Sequence, residues 1–446
     1  MARDQERKSV WGWAFYDWAN SAFATTVMAV FFPIFFKTYW SAGSNVNVST
    51  AQLGLGNSLA SLLVALMAPV LGAVADRGSA RKRFLIFFAY LGVLSTAALF
   101  LVGQGQWPYA ILVYTLGLIG FSGGNVFYDS LLPEVAGEER VDRVSCLGFA
   151  LGYLGGGLLL AFNVLMTTKP ALFGLADAGQ AVRYSFLSVA LWWGGFTLLT
   201  VFWVPEPRAG SDPGQEGAVR GGLRQLGRTL RKIRSLKTVL LFLVAYWCYI
   251  DGVDTIIRMA VDYGMSLGFE STQLVLALLM VQFIGFPAAL AFGRLGQWWG
   301  VRKAIFLALG IYMAVSVFGM FITSARDFYV LAGAVGLVQG GIQALSRSFY
   351  SRLIPPGQAA EFYGFYNMLG KFAAIIGPVL MGLVGLAART ALVSPGAGPE
   401  EIEAAGRLAA RLSIGSVLIL FVVGFFLFRA VDEDKGRAEA ARFGQA

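Results

Sequence analysis

Apolar runs of about 20 residues recur along nearly the whole chain, each long enough to cross a bilayer as one helix. Twelve candidates fall at about 11–37, 52–74, 84–103, 108–132, 144–168, 184–204, 237–261, 271–293, 304–323, 327–350, 361–386 and 411–429. Nothing else in the sequence constrains the fold as tightly. A spanning segment must satisfy every backbone N–H and C=O within the protein, because hydrocarbon offers no partner. The expected class is therefore an all-α membrane protein with twelve transmembrane helices. Composition agrees: charged residues make up 14% of the chain, about half the share of a soluble domain.

The basic residues indicate orientation. One set of alternate loops, the one that includes both termini, holds 26 of the 35 Lys and Arg, and the opposite set holds 7. Positive charge stays on the cytoplasmic side, so both termini are expected there. In a bacterium that means the inner membrane. The same loop placement accounts for the net charge of +9 and argues against nucleic acid as a partner. The first run is long and carries Asp17, so it reads as a retained span and not as a cleaved leader. The two cysteines, Cys146 and Cys248, lie in separate apolar segments, which supports neither a disulfide framework nor a metal site. There is no histidine, so proton chemistry near neutral pH would fall to carboxylates.

The middle loop divides the chain. Pro205 to Gly222 is rich in Gly, Pro and charge and reads as a linker. Leu223, Leu226, Leu230 and Ile233 then share a face, with Arg224, Arg228, Arg231 and Lys232 largely off it. That is the pattern of a basic amphipathic helix on an anionic membrane surface. The expected domains are 1–204, a linker 205–236, and 237–446. The halves repeat. Gly72 and Arg81-Lys82 recur as Gly293 and Arg302-Lys303, 221 residues on, and Leu132-Pro133 recurs as Ile354-Pro355. Two related six-helix bundles are the expected architecture, as parallel repeats about an axis along the membrane normal.

Polar groups inside the spans mark candidate sites, since an Asp or Arg at mid-membrane costs roughly 2.5–3.5 kcal/mol. Asp17 and Asn20 share a face of span one. They suit either a coupling ion or substrate amine, or a tie to a neighbouring helix. Span seven carries Asp251, Asp254 and Arg258 on one face, with Asp262 at its outer end. Three charges facing lipid would cost roughly 8–10 kcal/mol if additive, so this face is expected to look into an aqueous cavity. Arg258 would neutralise one carboxylate and leave the other to titrate or bind a cation. Lys371 in span eleven follows Tyr363, Tyr366 and Asn367 on a roughly common face and needs a carboxylate or anionic ligand. Span ten adds the stripe Gln339, Gln343 and Arg347, and span four adds Asn125 and Tyr128. Such stripes also serve as interhelical glue. Gly148, Gly152 and Gly156 in span five form a small-xxx-small ladder for close helix packing.

The Gly72…Asp76-Arg77…Arg81-Lys82 loop resembles the most general signature of the major facilitator superfamily. The second copy has Gln297-Trp298 in place of the Asp-Arg pair. Tyr16-Asp17-Trp18-Ala19-Asn20-Ser21, followed by Phe32-Pro33, resembles the opening of the vacuole-effluxer-like family within it. That family includes a fungal autophagy protein assigned to vacuolar amino-acid export. The resemblance implies alternating access, with two bundles rocking about a midplane site. It also implies a gating role for Asp76, Arg77 and Arg81 on the cytoplasmic side. Spans four and five approach spans ten and eleven there, so Asp129 and Glu134 become candidate partners for Lys371, either as a gate salt bridge or around a substrate carboxylate.

The expected function is secondary transport of a small zwitterionic solute such as an amino acid, with proton coupling as a hypothesis, by a monomer embedded in lipid. No Gly-x-x-x-x-Gly-Lys phosphate loop is present, so ATP is not the expected energy source, and no cofactor is expected. An exporter or flippase of amphipathic molecules and a ligand-binding sensor remain as alternatives. An enzyme is not expected, because no nucleophile motif sits on a loop.

Overall fold

The computed structural model describes residues 2–42, 62–64, 66–72, 75, 80–206, 231, 235–393 and 398–443, without the side chains at 2, 3, 271, 371 and 373–375. The expected amphipathic segment 223–235 therefore lies almost entirely outside the described residues. Among the described residues ten helices are long and apolar enough to cross a membrane, and two shorter apolar stretches, Leu62–Gly72 and Ile376–Leu392, bring the number to the expected twelve.

In chain order the helices are α1 (Ala2–Ala22), α2 (Leu62–Gly72), α3 (Arg81–Ala98), α4 (Trp107–Ala136), α5 (Val141–Thr168) and α6 (Ala178–Trp203). Then come α7 (Lys237–Ser266), α8 (Ser271–Trp299), α9 (Val301–Gly319), α10 (Ala325–Ser351) and α11 (Ala359–Leu392). The helix α12 (Pro399–Arg429) has a single-residue break at Val417, and α13 (Glu433–Phe443) follows the last span. Several helices outrun their apolar runs, because the groups that end a helix are polar. Ser324 and Asp327 form a reciprocal capping box that starts α10. Pro399 with Glu400 and Glu401 starts α12 twelve residues before the apolar run at 411.

Beyond Ala22, α1 continues through π-helical turns at Phe23–Phe31, a short α-turn at Phe32–Phe35 and π-helical turns at Phe36–Trp40. Pro33 gives the physical reason. Its ring collides with the carbonyl four residues back, and the turns before it widen, with the Phe32 N–H donating to the Val27 carbonyl.

The chain divides into two compact units. The first holds Met1–Lys232 with Ile354–Met368 and Phe443–Ala446. The second holds Ile233–Leu353 with Leu369–Arg442. The helix α11 is thus divided between the two.

In the first unit α1 packs on α5 and α6, and α3 on α4. The α5 ladder receives α1. A Cβ on Gly148 would lie 2.9 Å from the Trp13 ring, one on Gly152 would lie 2.7 Å from Ser21 Oγ, and one on Gly156 would lie 3.0 Å from Thr25. Small residues let the backbones approach, as the spacing predicts. The core beside it is Trp13, Tyr16, Phe88, Phe127, Tyr128 and Ala360.

In the second unit α7 packs on the second half of α12, and α8 on α10. Gly252 meets the Phe421 ring and Gly424 meets the Tyr249 backbone. Phe242, Phe349, Tyr350 and Phe428 form an aromatic cluster around α7.

Candidate functional site

Helix α1 carries its polar pair into bonds with α4. The Asn20 Nδ2 group donates to Asn125 Oδ1 at 2.6 Å, and Asn20 is only 2% exposed. Asp17 is half-buried and accepts from Ser21 Oγ at 3.2 Å and from the Tyr128 hydroxyl at 3.3 Å. Tyr128 is itself held. Its ring stacks on Trp13 with centroids 4.2 Å apart, and its carbonyl accepts from Trp13 Nε1 at 2.8 Å. Two of the expected contact residues, Asn20 and Asn125, are thus partners of each other. The bare surface of Gly152 on α5 closes over Asp17 Oδ1, where a Cβ would come within 2.9 Å.

Next to Tyr128 on α4, Asp129 is buried, and its Oδ2 accepts from Asn367 Nδ2 at 3.0 Å. Asn367 also donates to the Tyr363 carbonyl, one turn back on α11. Two expected gating residues, Arg81 and Glu134, form an ion pair. Arg81 also donates to the Gly357 carbonyl at 3.2 Å, and its side chain is 5% exposed against 41% for Glu134. The Lys82 N–H donates to Glu206 at 2.9 Å. Asp76 and Arg77 lie outside the described residues.

In the second unit α7 presents its charges at graded depth. Asp251 is 1% exposed, Asp254 is half-buried, and Arg258 and Asp262 are exposed. Asp251 Oδ1 accepts from the Gly377 N–H of α11 at 2.9 Å and from Thr255 Oγ1 at 3.3 Å. Its other oxygen, Oδ2, is buried and has no hydrogen-bond partner among the described residues. Both of these Asp251 bonds stay within the second unit. Two residues before Asp251, Tyr249 shares a hydrogen bond of 2.7 Å with Ser346 on α10. Next to Ser346, Arg347 is buried at 3% exposure, while Gln339 and Gln343 are half-buried. Lys371 sits on α11, with its side chain outside the described residues.

Spacing alone marked most of the polar positions on these faces, but not the partners Thr255, Ser346, Gly357 and Gly377. Hydroxyls and backbone groups leave no mark in hydropathy. One available signal was the dipeptide Gly377-Pro378 inside an apolar run, which weakens a helix where it occurs. Among the described residues, no cluster of His, Cys, Asp or Glu is arranged to hold a metal.

The profile of the family described as "Vacuole effluxer Atg22 like" matches residues 5–390. A protein of Bacillus subtilis (strain 168), described as the uncharacterized MFS-type transporter YxiO, is 35% identical over 95% of this chain and 94% of its own. Autophagy-related protein 22-1 of Penicillium rubens is 23% identical over 89% of this chain and 78% of its own. Among solved structures, the human organic anion transporter MFSD10 superposes with a TM-score of 0.68 at 15% identity, covering 95% of this chain and 99% of that one.

Proposed function

The chain belongs to the vacuole effluxer Atg22-like family of major facilitator transporters, and from that premise we propose that it carries a small zwitterionic solute, of the amino-acid class, across the membrane. The observation that carries this reading is the graded face of α7, where a buried carboxylate, a half-buried carboxylate and an exposed guanidinium follow one another along one helix. A zwitterion presents an ammonium and a carboxylate, and opposite charges a turn apart answer both. Asp254, Arg258, Gln339, Gln343 and Lys371 are its contacts from the second half, and Asp17, Asn20 and Asn125 from the first. The chain acts as a monomeric carrier and not as an enzyme, with both termini in the cytoplasm of a bacterium. Export is its working direction. The halves 1–204 and 237–446 alternate about the linker 205–236. Asp76, Arg77, Arg81, Asp129, Glu134 and Arg347 hold one state closed. Asp251 Oδ2 takes the coupling proton.

Flux of radiolabelled neutral amino acids in proteoliposomes tests the proposal. We expect movement that depends on a pH gradient and collapses with a protonophore. Asp251→Asn should abolish the pH dependence. Movement of lysolipid in place of amino acids would make the protein a flippase, and saturable binding without flux would make it a sensor.

A further inference from the structure

The contact of α7 with α11 falls beside a proline. Pro378 has no N–H, so the carbonyl of Ala374 cannot receive its helical bond, and the ring crowds that carbonyl. The helix α11 nevertheless runs unbroken through this point, from Ala359 to Leu392. The Gly377 N–H donates across to Asp251 Oδ1 at 2.9 Å, from a residue 126 positions away. Thr255 Oγ1, one turn along α7, donates to the same oxygen at 3.3 Å. Gly377 is the residue that allows this approach. A Cβ there would overlap Thr255 Oγ1 and lie 2.8 Å from Thr255 Cβ and 2.9 Å from Asp251 Oδ1. On its other side α7 is clamped just as closely, with Gly252 against the Phe421 ring and Gly424 against the Tyr249 backbone.

We propose that Asp251 is a positioning residue that ties α7 to α11 one residue before Pro378, with one oxygen accepting from the Gly377 backbone N–H. Thr255 orients the carboxylate, and bare Gly377 lets the backbone reach it. Oδ1 is committed to the neighbouring helix, and Oδ2 stays available for other chemistry. The pin holds α11 against α7 at its proline, and so sets the position of the segment that carries Lys371. The pin itself is independent of the solute. Its consequence for flux rests on the carrier reading above.

The test uses the full-length protein in detergent and in proteoliposomes. Hydrogen–deuterium exchange is followed in peptides covering 372–382. A hydrogen bond to a carboxylate protects an amide by roughly ten- to a hundred-fold, and one to a neutral acceptor by a few-fold. Asp251→Ala is expected to release one additional amide in this window by the larger factor. Asp251→Asn, which keeps a neutral acceptor oxygen, is expected to retain a few-fold of protection and to fall between the parent and Asp251→Ala. Gly377→Ala should release the same window, and Thr255→Ala in the same chain should recover part of the loss. In proteoliposomes with a radiolabelled neutral amino-acid mixture, Gly377→Ala should lower the maximal rate with little change in KM. Unchanged exchange in Asp251→Ala would overturn the pin, as would equal release in Asp251→Asn and Asp251→Ala. Because exchange needs no solute, the absence of amino-acid flux would refute the carrier reading and leave the pin standing.

Discussion

Asn20 and Asn125 are 105 residues apart in the chain and 2.6 Å apart in space. An amide pair of this kind is directional, and away from water each amide depends on the other. Asn125→Ala should therefore destabilise the first unit by about 0.6–1.7 kcal/mol, the range for interhelical hydrogen bonds in membranes. Adding Asn20→Ala should cost little more, and the non-additivity can be read from unfolding in mixed micelles. Helical spacing placed Asp17 and Asn20 on one face. It could not tell a solute contact from an interhelical tie, and both residues make bonds to α4. Arg81 and Glu134 were each marked by position near a cytoplasmic helix end. Their pairing, and the bond from Arg81 to the Gly357 carbonyl, depend on three segments meeting.

The α5 glycine ladder shows an element whose purpose can be read from spacing alone. Gly152→Val should overpack the α1 interface and cost about 1–3 kcal/mol, seen as a lower melting temperature and a smaller monodisperse fraction. Gly195→Ala on α6 is the matched control. Nothing lies within 4 Å of a Cβ there, so it should be neutral or stabilising. The short helix α13 was not expected, because eleven largely polar and small residues after a last span leave no hydropathy signal. It docks on the second unit through Glu433 to Arg352 at 3.2 Å and Glu439 to the Thr238 N–H at 3.1 Å, with Gly436 against Leu353 and Thr238. Glu439 supplies a cap at the start of α7, where Leu236 offers no side-chain acceptor. Glu439→Gln should weaken that end by about 0.3–1 kcal/mol, with faster amide exchange confined to the first turn of α7. The π-helical turns before Pro33 were likewise unmarked. Proline predicts a disturbance, but whether the helix kinks, breaks or widens is settled by what packs around it.

For the whole molecule, the excess of basic residues in one set of loops yields a topology that fusions can check. A fluorescent protein at the C-terminus should fold and emit, and alkaline phosphatase there should be inactive. Phosphatase fused after Pro170 should be active. The reverse pattern would invert every assignment of inner and outer loops. The number of spans, the helical class and the family could be read directly from the sequence. Burying an apolar run and biasing charge across a bilayer are local properties, additive along the chain. The pairings could not be read in that way. Asp251 with Gly377, Asp129 with Asn367, and the grouping of Ile354–Met368 with the first unit join positions far apart in sequence. Distance in space is set by packing, and no single segment carries it.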